Sequence, residues 1–285
     1  MDLDNIMALG AHYFHLELEP MAHRFKLIIQ IALLFHIISC KVDSKKIEES
    51  ISVDEIPFKK VLMIGNSFTF YWNLPQVLER MFATKDIRVQ VDQKTIGGSK
   101  LSEHWNYNLD KNYRIEDYDY VIFNDHSTYA MKNLDTCAKY IKLFTSQIHK
   151  INSKPLIYGT WEYPSLKKTS KFSNSNTMKR LDSLAKVYKA TYVPVGNAFD
   201  YVEKNHPEFK LYMDDQKHPS ANATYLSACI FFSMITGETP LGLPTRFEGK
   251  NIDGKKIYYL ITDINAAIIS QKVANLITSP FRKEL

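Results

Sequence analysis

A chain of 285 residues, 45% hydrophobic and 24% charged, is long enough for one large domain with a substantial core. Its formal charge of +5 is mild. No dense Lys/Arg block is interleaved with aromatics, which argues against a nucleic-acid partner. The three cysteines include no Cys-x-x-Cys and no Cys/His spacing of the metal-binding kind.

The N-terminal segment is predicted to lie outside the fold. Arg24 and Lys26 precede the apolar run Leu27–Ile38, a basic region followed by a hydrophobic region too short for a good spanning helix. Ile37-Ile38-Ser39-Cys40 resembles a bacterial lipobox. That resemblance implies acylation of Cys40 and an exported chain anchored by lipid in the cell envelope, in the periplasm or at the outer membrane. A retained anchor helix or a buried helix is the other reading of the apolar run. Met21 opens a more usual signal than Met1 does. The division expected is therefore 1–40 as signal peptide, 41–58 as a polar tether and 59–285 as the domain. Cys137 and Cys229 lie in predicted helices and read as small buried hydrophobes.

From Lys59 the pattern alternates strand and helix. Val61–Ile64 is a continuous apolar run, as in a strand buried on both faces. A helix follows at Pro75–Met81. Further strands are expected at Ile87–Val91, Tyr118–Phe123, Pro155–Tyr158 and Tyr192–Val195. Helices at about 134–150 and 176–190 separate the last three, and Asp263–Ile277 reads as helical with no assigned role. Strands alternating with helices of this length imply parallel crossovers. The expected fold is α/β, a three-layer sandwich around a doubly wound parallel sheet of about five strands.

In such sheets chemistry collects at the carboxyl ends of the strands. Gly65-Asn66-Ser67 follows the first strand and Ile96-Gly97-Gly98-Ser99 the second. Asn124-Asp125-His126-Ser127 follows the third, Thr160-Trp161-Glu162 the fourth and Gly196-Asn197 the fifth. Ser67 is placed to expose a hydroxyl nucleophile. A second segment, Asp215-Gln216-Lys217-His218-Pro219-Ser220, offers an imidazole base and, three residues before it, a carboxylate to orient that base. Ser67, His218 and Asp215 together fill the three roles of a serine hydrolase. The Ser67 N–H, the Gly98 N–H and the Asn124 side-chain amide form a candidate oxyanion hole. The competing readings are a helix-capping Ser67, a loop His218 beside a capping Asp215, a flexible turn at Gly97-Gly98 and a polar strand terminus at Asn124.

These blocks, in this order, resemble the SGNH (GDSL-like) hydrolases, and in particular a bacterial branch of that superfamily. Ser67, Gly98, Asn124 and His218 stand one per block. Gly65-Asn66-Ser67-Phe68 stands where the family has Gly-Asp-Ser-Leu, and Asp215-Gln216-Lys217-His218 where it has Asp-x-x-His. The resemblance covers about 60–245. It implies a flavodoxin-like α/β/α sandwich and ester hydrolysis without metal or other cofactor. The implied substrates are small O-acyl esters such as acetylated sugars. Asn66 replaces the family's Asp, and Ile122-Phe123 precede Asn124-Asp125 where the family has Gly-x. Trp161, Tyr163, His104 and Trp105 fall at the same sheet edge, where aromatics suit stacking on sugars and equally suit core packing. Trp161 and His104 are the candidate substrate-binding residues. Two other functions fit the sequence: a non-catalytic glycan-binding surface lipoprotein, and a thioesterase or lipase of the same fold.

Overall fold

Lys59–Gly65 form the first strand, β1, and Val61 to Ile64 are at most 1% exposed. Strand alternation sends Val61 and Met63 into one hydrophobic core, and Leu62 and Ile64 into a second core across the sheet. A strand buried on both faces must be apolar at every position, which is why β1 is legible as an unbroken run. The computed structural model describes residues 58–107, 112–169 and 176–283. All of them fall within one unit, Ile56–Leu285. The predicted signal peptide, Cys40 of the lipobox and the tether up to residue 57 lie outside the described residues.

Four further strands complete the sheet: β2 (Val89–Thr95), β3 (Tyr120–Phe123), β4 (Lys154–Tyr158) and β5 (Thr191–Val193). All pairings are parallel, in the order β2-β1-β3-β4-β5. The chain winds outward from β1 first to β2 and then the other way through β3. The switch point therefore lies between the carboxyl ends of β1 and β3, where ligands bind in such sheets.

Helices cover both faces. On one side pack α1 (Leu74–Ala83) and, further along the chain, α4, α5 and α6. On the other pack α2 (Leu134–Lys150) and α3 (Asn176–Tyr188). The later three are α4 (Val195–Asn205), α5 (Ala221–Thr236) and α6 (Ile264–Thr278). This is the three-layer α/β/α sandwich expected from the alternation. Helix α5 is buried all round from Ala223 to Ile235, and a helix apolar on every side needs a cover on its outer face. Buried residues of α6, including Ala266, Ala267, Val273 and Ala274, supply that cover together with Leu243, Phe247 and Leu260.

Several boundaries differ from expectation. The second strand runs Val89–Thr95 rather than Ile87–Val91, because Ile87 N–H bonds the Phe82 carbonyl in the turn that closes α1. Its polar composition is that of an edge strand, paired with β1 from Val89 to Thr95. Tyr192–Val195 is shortened: β5 stops at Val193, and Val195-Gly196-Asn197 open α4 instead of forming a loop. An antiparallel hairpin, β6 (Arg246–Lys250) and β7 (Lys256–Ile261), was not expected. Cys137 and Cys229 are both buried and unpaired. Among the described residues no helix is long and apolar enough to cross a membrane.

Candidate active site

β1 ends at Gly65, and the backbone turns at once into the short helix Ser67–Phe70. Asn66 caps that helix, its side-chain oxygen accepting from Phe68 N–H at 3.2 Å. Its amide donates to the Ser99 and Asp125 carbonyls, at 3.1 and 3.2 Å. Asn66 thus ties the ends of β1, β2 and β3 together. Gly65 is required by close approach. A Cβ there would lie 2.0 Å from Asn124 Oδ1 and 2.5 Å from Thr69 Oγ1.

The partner loop is built by closing its own stem. Ser220 N–H bonds the Leu211 carbonyl and Met213 N–H bonds the His218 carbonyl, both at 2.9 Å. At the tip, Asp215 Oδ1 accepts from the backbone N–H groups of Lys217 and His218, both at 3.0 Å. Its Oδ2 is left to bond His218 Nδ1. The three-residue spacing works because one carboxylate oxygen shapes the turn and the other orients the ring. Ser220 then caps α5, its Oγ accepting from Ala223 N–H at 3.2 Å.

The two segments meet: His218 Nε2 lies 2.9 Å from Ser67 Oγ, across 151 positions of sequence. The imidazole is stacked on Tyr71 at 4.4 Å and 18°, and Phe68 meets it edge-on at 5.8 Å. Burial alone would raise the Asp215 carboxyl. The hydrogen bonds from the His218 ring and from two backbone N–H groups outweigh that and hold it below its ordinary range. Asp215 is therefore ionised at neutral pH and fixes the ring with Nε2 toward the serine.

Gly98 occupies the third position of the Ile96–Ser99 turn at φ +68°, a conformation that favours glycine. No neighbour would meet a Cβ there, so the requirement is backbone shape rather than space. The turn is pinned to the nucleophile loop by Ile96 N–H to Gly65 O, Ser99 Oγ to Gly65 O, and Asn66 Nδ2 to Ser99 O, each at 3.1 Å. Ser67 is the first residue of its helix, where backbone N–H groups have no intrahelical acceptor.

Asn124 requires a correction. Its Nδ2 donates to Asn66 Oδ1 and to the Asp125 carbonyl, both at 3.1 Å, and its Oδ1 accepts from Thr69 Oγ1 at 2.6 Å. Both amide protons are engaged, and the residue is 3% exposed. In this arrangement it braces the nucleophile loop rather than presenting a free donor.

The two predicted substrate-binding residues are also corrected. Trp161 is 1% exposed and its ring is sandwiched between Phe68 and Phe199, at 4.2 Å on each side. Its indole N–H bonds the Lys217 carbonyl at 3.2 Å, bracing the His218 loop from beneath. His104 is fully buried. Its Nδ1 pairs with Tyr113 Oη at 2.8 Å, and its Nε2 with Ser99 Oγ at 2.8 Å and the Gly65 carbonyl at 3.0 Å. Burial pushes this imidazole below its ordinary value, against the pull of the Gly65 carbonyl and of Glu103. Neither residue has a surface for a sugar. Tyr71, which stacks on His218, and Trp72, which bonds the Pro219 carbonyl, carry no motif. Their only signal is position, four and five residues after Ser67.

Among the described residues, no group of three His, Cys, Asp or Glu side chains is placed to hold a metal ion. The sequence matches no protein-family model and no curated protein at a significant level. Solved structures do match. A protein from Slackia heliotrinireducens described as an SGNH hydrolase shares 22% identity, with TM-score 0.53, over 62% of this chain and 98% of its own. A DUF4886 family protein from Bacteroides uniformis shares 17% identity with TM-score 0.57, over 79% of this chain and 96% of its own. The acetyl xylan esterase AlAXEase shares 17% identity with TM-score 0.53, over 62% and 99%. The chain therefore has the three-layer fold of the SGNH hydrolases.

Proposed function

We propose that this chain is a serine esterase that hydrolyses small O-acyl esters, O-acetyl foremost, on carbohydrate. The observation that carries this reading is the relay from Asp215 through His218 to Ser67, with 2.9 Å between Nε2 and Oγ. Ser67 Oγ attacks the ester carbonyl while His218 Nε2 takes its proton. The oxyanion is met by the Ser67 and Gly98 N–H groups, with Asn124 and Asn66 holding the loop that presents them. Collapse of the tetrahedral intermediate breaks the ester bond, and His218 returns the proton to the leaving alcohol. Water, deprotonated by His218, then hydrolyses the acyl-Ser67. Carbohydrate as the alcohol is supported by the names of structural neighbours, among them an acetyl xylan esterase and an acetyl-xylooligosaccharide esterase.

A preference for small acyl groups is supported by the packing next to the nucleophile. Phe68, which follows Ser67, stacks on Trp161, and Trp161 on Phe199. An acyl channel would reward each added methylene by about 0.8 kcal/mol, seen as a steep rise in kcat/KM with chain length. The purified protein should instead cleave p-nitrophenyl acetate faster than the octanoate. A rising series would replace this reading with a lipase-like one.

The same proposal places the enzyme outside the cytoplasm, held to the envelope by lipid on Cys40. It is supported by the basic and apolar regions before Ile37-Ile38-Ser39-Cys40 and the polar segment after them. Cys40→Ala should move the protein from the membrane fraction to the soluble one. Unchanged partitioning into detergent would point to a retained helix.

A further inference from the structure

Five residues after Ser67, the ring of Trp72 is open to solvent. It is 42% exposed, whereas Trp161 is enclosed on both ring faces. Its backbone lies at φ 52°, ψ 33°, and Asn73 beside it at φ 55°, ψ 39°. For a bulky side chain this left-handed conformation is a genuine outlier, and strain of this kind gathers at functional sites. Glycine would adopt it freely, yet the position carries the largest side chain available.

The indole is also fixed. Its N–H bonds the Pro219 carbonyl at 3.0 Å, next in sequence to His218, and the preceding residue, Tyr71, stacks on the His218 ring. Asn73 Nδ2 bonds the Tyr259 carbonyl at 2.9 Å, tying the next link of the chain to β7. A half-exposed indole is therefore held against Pro219, the residue that follows the histidine. It forms one wall of a cleft of about 310 Å³. The other walls include Lys210, Met213, Asp214, Ser220 and Asn222. The cleft combines one flat apolar surface with the exposed Lys210–Asp214 ion pair, 3.1 Å from Nζ to Oδ1, and the Asn222 amide. That is the pattern that recognises a pyranose, whose C–H face stacks and whose hydroxyls bond at the rim.

We propose that Trp72 is the stacking platform of a saccharide subsite, which holds a sugar ring neighbouring the one that carries the ester. This inference rests on the reading of Ser67 as the nucleophile of a carbohydrate esterase. It makes Trp72 a determinant of substrate choice.

The test is a titration that requires no hydrolysis. Xylotetraose, mannotetraose, cellotetraose and chitotetraose are each added to the wild-type protein and to Trp72→Gly, with heat of binding measured. Trp72→Gly deletes the ring and suits the backbone, and Trp72→Phe keeps an apolar face without the N–H. Both variants are first shown to melt cooperatively. At least one oligosaccharide should bind saturably to the wild type, with Kd raised about tenfold or more in Trp72→Gly and less in Trp72→Phe. Binding of none of the four, or equal binding by wild type and Trp72→Gly, would overturn the subsite. Acetate release from acetylated oligosaccharide is followed in parallel. Ser67-dependent release with no effect of Trp72 on binding defeats the subsite alone. Trp72-dependent binding without release defeats the esterase reading alone.

Discussion

Ser67 and Ser99 each sit within hydrogen-bond reach of a histidine, 2.9 Å from His218 and 2.8 Å from His104. Ser99 is 2% exposed and donates to the Gly65 carbonyl, and both nitrogens of His104 are bonded inside the protein. Ser67 is only half-buried, and its histidine is oriented by a carboxylate. Access and the third group, rather than the Ser–His distance, separate the candidate nucleophile from the structural pair. The buried pair has a pH signature. The His104 proton affinity in the folded state lies below the unfolded value of 6.5. Its contribution to stability is therefore complete above that pH and is lost as pH falls through the lower folded-state value. The Tm of the wild type should exceed that of His104→Gln at about pH 7.5, and the gap should narrow toward about pH 5. His126, also depressed by burial, titrates in both proteins and cancels from the difference. A gap that stays constant with pH would contradict a neutral, buried His104.

At the scale of elements, the junction after β1 decides whether the site forms. Gly65 closes the strand under Asn124 and Thr69, with no room for a methyl group. Gly65→Ala must displace one of these neighbours, which overpacking data put at about 1–3 kcal/mol. At this chain length that is a fall in Tm of roughly 2–4 °C per kcal/mol. Because the displaced groups brace the nucleophile loop, kcat should fall as well. Thermal melts and ester turnover measured together check this, and an unchanged kcat in a destabilised variant would separate Gly65 from the site. The same element shows what sequence reveals. β1, β3 and β4 are read directly from their apolar runs because both of their faces are covered. β2 is misplaced because an edge strand carries Gln90, Asp92 and Lys94, which leave no run to see. The β6–β7 hairpin has its turn signal in Asp253-Gly254, with Gly254 at φ +76°, but a weak apolar pattern on either side.

Across the whole chain, the winding order positions the candidate site. β1 at the switch point delivers Ser67, and the loop Leu211–Ser220 ahead of α5 delivers His218 and Asp215. Both motifs are legible in sequence because each is local: a Ser after an apolar strand, and a carboxylate three residues before a His. Which aromatics face solvent is not local. It is fixed only when Phe68 and Phe199 close on Trp161 and when Trp72 is turned outward by its left-handed backbone. For the same reason Asn124 cannot be judged from its motif, since its donors are taken by Asn66 and the Asp125 carbonyl. The proposed function rests on ester hydrolysis by the contact between Ser67 and His218. Its most direct test is turnover of p-nitrophenyl acetate by the wild type and by Ser67→Ala, with folding of both checked by thermal melting. The expected result is a folded variant whose kcat is lower by on the order of 10⁶. A folded Ser67→Ala protein retaining more than about a tenth of wild-type turnover would contradict it.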